Sequence, residues 1–67
     1  MDSAESGERY ARLFRKAGVH LARGNVARAV EVLKEGREIA EQQGNRRMAR
    51  LFEAEIERAK EPPAETD

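Results

Sequence analysis

The stretch Gly24-Asn25-Val26-Ala27-Arg28-Ala29-Val30-Glu31-Val32-Leu33-Lys34-Glu35-Gly36-Arg37-Glu38-Ile39-Ala40-Glu41-Gln42-Gln43-Gly44-Asn45 decides how this chain folds, because a single helix fits between two copies of the same punctuation. Glycine supplies the left-handed backbone that ends one helix, and asparagine offers a side-chain oxygen to the N–H groups that open the next. Between the two Gly-Asn pairs, Val26, Ala29, Val30, Leu33, Gly36 and Ala40 fall on one face, and Val32 with Ile39 form a second stripe. A helix over 26–43 that is apolar on two sides has to sit between neighbours. Its remaining strip sets Glu31 against Lys34, Lys34 against Glu38 and Arg37 against Glu41, at spacings that favour surface pairs.

Working outward, Tyr10, Leu13, Phe14, Ala17 and Leu21 recur at intervals of three and four and mark a first helix over 8–22. Gly7 argues for a frayed start, so residues 1–7 are expected to be flexible. On the other side, Met48, Leu51, Phe52, Ile56 and Ala59 give the apolar stripe of a third helix over 46–60. Pro62-Pro63 cannot continue it, because proline lacks the backbone donor and restricts the residue before it. Residues 61–67 are expected to be a disordered tail. The expected fold is a single all-α, three-helix domain over 8–60.

Composition narrows the function. The 67 residues leave room for one small domain, and 39% charged against 4% aromatic suits helices with solvated faces better than a sheet. With no cysteine, disulfides and thiolate metal sites are excluded. His20 is the one histidine, so the usual triads and zinc sites cannot be assembled from one chain, and a half-buried packing role is expected for it. Glu31, Glu35 and Glu38, or Glu53 and Glu57, share helix faces but lack the Glu-x-x-His partner of bundle carboxylate sites. No catalysis, metal or cofactor is expected. No apolar run reaches the roughly 18 residues of a membrane span, and the first residues lack a basic start and apolar stretch, which points to a cytoplasmic chain without a membrane partner.

Ala11-Arg12-Leu13-Phe14 reappears as Ala49-Arg50-Leu51-Phe52, thirty-eight residues later. Helix, glycine turn and helix at a period near 34 to 40 is the plan of helical solenoids. In these features the chain resembles the tetratricopeptide repeat family over about residues 10–59, with the Gly24-Asn25 turn, a small residue at Ala17, and Ala29, Leu33 and Gly36 at the small, large and small positions of the second helix. It departs from the family at Lys16, where leucine is usual, at His20, where an aromatic is common, and at Glu55, where the small residue of Ala17 would repeat. The third helix is therefore expected to cap a helical hairpin. A generic three-helix bundle is the other reading of the same periodicity.

The resemblance implies a concave binding face built by the first helix of each repeat. Here that face would hold Ala11, Phe14, Gly18 and Leu21 from the first helix, and Ala49, Phe52 and Ile56 from the third. It would be apolar where peptide-binding relatives are polar, so the implied partner is a second copy of the chain, in a homodimer or higher oligomer, or another protein or peptide served by an adaptor. Alternatively, Phe14 and Phe52 fill the chain's own core.

Charge is uneven although it sums to zero. Residues 1–30 hold six basic and three acidic groups, and residues 31–67 hold seven and ten, giving +3 and −3. Arg9, Arg12, Lys16 and Arg23 lie along one side of the first helix and Glu53, Glu57 and Glu61 along one side of the third, an arrangement that suits antiparallel or head-to-tail pairing, or else two ordinary solvated faces. A second function class uses the same charges differently. Arg12, Arg15, Arg46, Arg47 and Arg50 suit a small DNA- or RNA-binding regulator, although zero net charge gives phosphate attraction little overall support.

Overall fold

The computed structural model describes the backbone of residues 3–61 and the side chains of 7–61. Three helices follow one another: α1 over Ser3–Ala22, α2 over Val26–Gln42 and α3 over Arg46–Lys60. The second and third match their expected ranges to within one residue. α1 begins at Ser3 and not at residue 8, so residues 3–7, expected to be flexible, are helical. A solvent-facing glycine inside a helix costs only about 1 kcal/mol against alanine. That is too little at Gly7 to end a helix whose next turn is anchored by buried Tyr10. Of the expected tail, Glu61 forms a bend after α3 with its N–H donating to the Arg58 carbonyl at 3.3 Å, and residues 1–2 and 62–67 lie outside the described residues.

Both turns have the same hydrogen-bond pattern. At the first, Gly24 N–H donates to the Leu21 carbonyl at 3.0 Å and Asn25 N–H to the His20 carbonyl at 2.7 Å. At the second, Gly44 donates to Glu41 at 3.0 Å and Asn45 to Ala40 at 2.8 Å. These paired bonds form the Schellman arrangement, which uses the carbonyls that a helix end leaves over. The arrangement needs a left-handed residue, and Gly24 and Gly44 take φ of 77° and 69°. The capping is not symmetric. Asn45 Oδ1 accepts from Met48 N–H at 3.1 Å, whereas Asn25 makes no side-chain cap bond.

Two short turns make α2 antiparallel to both neighbours and leave α1 and α3 parallel. α2 packs against α1 and against α3. It supplies Ala29, Val30, Val32, Leu33 and Ala40 to the core, while α1 gives Tyr10 and Ala17 and α3 gives Phe52 and Ile56. α1 and α3 meet through aromatic rings. Phe52 receives Tyr10 edge-on, with centroids 5.8 Å apart, and Phe14 face-on at 4.3 Å. On its other side Phe52 presses onto Gly36, where a Cβ would overlap the Cε1, Cζ and Cδ1 atoms of the ring. Tyr10 Oη donates to Gln43 Oε1, which ties the first half of α1 to the turn between α2 and α3.

The charged strip of α2 pairs differently from expectation. Arg37, half-buried on the flank next to Gly36, reaches Glu53 of α3 at 3.1 Å instead of Glu41. Glu31 pairs with Arg28 at 3.6 Å instead of Lys34. The remaining described pair joins Arg58 to Glu55 at 3.4 Å. These are exposed contacts of small energetic weight.

Candidate functional site

The residues expected to form one apolar face divide between core and surface. Phe52 is fully buried and Ile56 nearly so; both belong to the core, and neither can contribute to an open face. The physical reason is helix register. Phe52 and Ile56 are four residues apart on the stripe that α3 turns toward α2, together with partly buried Met48 and Ala59. Ala49 is also partly buried against the core.

The repeated tetrapeptide is therefore a repeat of letters and not of environments. In the first copy Leu13 packs inward and Phe14 is half-buried. In the second, Phe52 takes the inward place and Leu51 turns out, 46% exposed. One helical residue step, 100° of rotation, separates the two settings.

What stays open is the α1 part of the expected face. Ala11 and Gly18 are exposed, Leu21 is 37% exposed, and Phe14 shows the edge that Phe52 does not cover. A Cβ built on Gly18 would meet nothing within 4 Å, so no described element lies over the middle of this stripe. Two aliphatic residues near the α1–α2 turn are also exposed: Val19, at 50%, and Val26, expected on the apolar face of the central helix but 42% exposed.

A second region is polar. Lys16 and His20 of α1 face Arg28, Glu31, Val32 and Glu35 of α2 across a half-open cleft. Lys16 and His20 are the two positions where an apolar residue is expected from the family resemblance, and their polarity is the signal that would have found the cleft. His20 is half-buried, as expected, and its Nδ1 is buried with no hydrogen-bond partner. Among the described residues no three His, Asp or Glu side chains converge to hold a metal ion, and no helix is long and apolar enough to cross a membrane.

The five arginines expected to meet a charged partner, Arg12, Arg15, Arg46, Arg47 and Arg50, are all exposed. The acidic side of α3 is less available for pairing with a neighbour than its sequence suggests, because Glu53 is held by Arg37 within the chain. Glu57 and Glu61 are exposed.

Set against known protein families, curated proteins and solved structures, the chain has no match in any of the three.

Proposed function

We propose that this chain is an association module without catalysis of its own, related in plan to the tetratricopeptide repeat, that pairs with a second copy of itself through α1. The observation that carries this is the open stripe Ala11, Phe14, Gly18 and Leu21, whose centre at Gly18 has nothing packed on it. Small residues between two larger apolar ones let another helix approach closely, and the surrounding area gains when water leaves it. Val26, exposed at the start of α2, extends the same corner of the molecule. The family plan draws support from the helix, glycine turn and helix order, and from burial of Ala29, Leu33 and Gly36.

The experiment is mass in solution by light scattering across a concentration series, for the natural chain and for Leu21→Glu. The natural chain is expected to gain mass and melting temperature as concentration rises, because association stabilises the folded state by mass action. Leu21→Glu is expected to stay monomeric with unchanged helix content. A natural chain that remains monomeric throughout, with a melting temperature indifferent to dilution, overturns the proposal.

A further inference from the structure

The arginines of two helices converge on one end of the molecule. α1 and α3 run parallel, and the Tyr10–Gln43 bond together with the Tyr10 and Phe14 contacts to Phe52 sets the first half of α1 level with the first half of α3. Arg9 and Arg12 therefore sit at the same end as Arg46, Arg47 and Arg50, and all five are exposed. None forms an ion pair with another described residue. In the segments that build this end, 7–14 and 39–52, five arginines meet only Glu8 and Glu41, an excess of three positive charges. Counting Asp2 and Glu5, which precede them in the sequence, the balance is still positive. The other described segments, 15–38 and 53–61, hold eight basic and seven acidic residues and nearly cancel. Zero net charge thus conceals a molecule with one cationic end.

We infer that this end docks the phosphate backbone of a nucleic-acid duplex. Every cation in it is an arginine, while Lys16, Lys34 and Lys60 all lie elsewhere. The guanidinium group offers paired donors that match phosphate oxygens, which an ammonium does not. Arg46 and Arg47 occupy the first turn of α3, which carries no acid, so they oppose the helix dipole and one another until an anion neutralises them.

The surroundings separate this partner from other anionic ones. Of the exposed large aliphatics, Val19, Leu21 and Val26 lie toward the opposite end and only Leu51 lies near the arginines, so a peptide finds few apolar anchors there. Single strands are commonly gripped by stacking bases on open aromatic rings, but Tyr10 and Phe52 are buried and Phe14 is covered on one face by Phe52. A charged backbone needs neither anchor nor platform. Binding of this kind is indifferent to base sequence and strongly dependent on salt.

The test is fluorescence anisotropy with a labelled mixed-sequence DNA duplex, its single strand and a labelled polyglutamate peptide, at about 50 and 200 mM salt, a range over which phosphate contacts lose most of their affinity. The duplex is expected to bind best and to weaken steeply with salt. The pair Arg12→Gln with Arg50→Gln should weaken duplex binding about tenfold, as removal of two phosphate contacts predicts. Lys34→Gln with Lys60→Gln, an equal loss of charge elsewhere, should leave it within about twofold, and circular dichroism should show all variants equally helical. Absence of duplex binding at the lower salt overturns the inference, as does equal weakening by the two double variants. Tighter binding of polyglutamate also overturns it, and assigns the end to an acidic protein segment instead.

Discussion

Phe14 lies parallel to Phe52, with ring planes 2° apart and centroids 4.3 Å apart, so one phenylalanine is the core and the other is its cover. Phe52 is surrounded by Gly36, Tyr10 and Phe14, and nothing is left of its surface for a partner. Phe52→Ala should cost about 3–5 kcal/mol, as for other buried aromatic truncations. A domain this small has roughly that much stability in total, so the variant should be largely unfolded by circular dichroism at room temperature. Phe14→Ala removes a half-buried ring and should leave a folded protein with a lower urea midpoint. Equal loss in the two variants would show that Phe14 is as central to the core as Phe52.

Gly36 and Gly18 should respond to alanine in opposite directions. A methyl group at Gly36 collides with the Phe52 ring, and the collision cannot be relieved without moving α3 away from α2, so Gly36→Ala should cost about 1–3 kcal/mol. At Gly18 the added methyl enters open space in the middle of a helix, and replacing glycine there should stabilise by up to about 1 kcal/mol. Urea midpoints measured at low protein concentration check both. Adding Phe52→Leu to Gly36→Ala should return part of the loss, since residues in contact are energetically coupled.

The two Gly-Asn pairs made the inner helix boundaries legible, because left-handed glycine at a helix end is local chemistry that distant contacts do not alter. The central place of α2 was legible for a similar reason: a helix apolar on two flanks has few other places to go. The orientation of α3 was not. Leu51 and Phe52 are adjacent and both apolar, and only the hollow left by Gly36 on another helix decides that the ring turns in and the leucine turns out. The same limit governed the binding face. Ala11, Gly18 and Leu21 are exposed, while Phe52 and Ile56 were taken by the core, because burial depends on which face of α3 meets α2 and not on the residue type. The arginine end was visible in the sequence only as two separate clusters; the antiparallel turns on either side of α2 are what join them.

The asymmetry of the two caps gives a paired test. Asn45 accepts a hydrogen bond from Met48 N–H, and loss of such a bond typically costs about 1 kcal/mol, so Asn45→Ala should lower the melting temperature measurably. Asn25 makes no such bond, and Asn25→Ala should be closer to neutral. Thermal melts of the two variants side by side decide the matter. Equal losses would mean that Asn25 also caps α2 in solution, through a rotation of its side chain.

His20 provides a test of whether the α1–α2 cleft is held for binding or for stability. Its Nδ1 is buried without a partner, and an unsatisfied buried polar atom costs roughly 1–3 kcal/mol. His20→Leu removes that atom, keeps the side chain against Val32, and supplies the kind of apolar contact that this flank of α1 lacks. The expected result is a higher urea midpoint, by about 1 kcal/mol of added stability, with the Lys16 and Glu35 sides of the cleft left in place. A fall in the midpoint would mean that solvent within the cleft satisfies the imidazole and that histidine is the better packing residue. A rise would make the polar residue a cost to the fold, and the cleft that it lines would then call for a ligand screen starting from Lys16, His20 and Glu35.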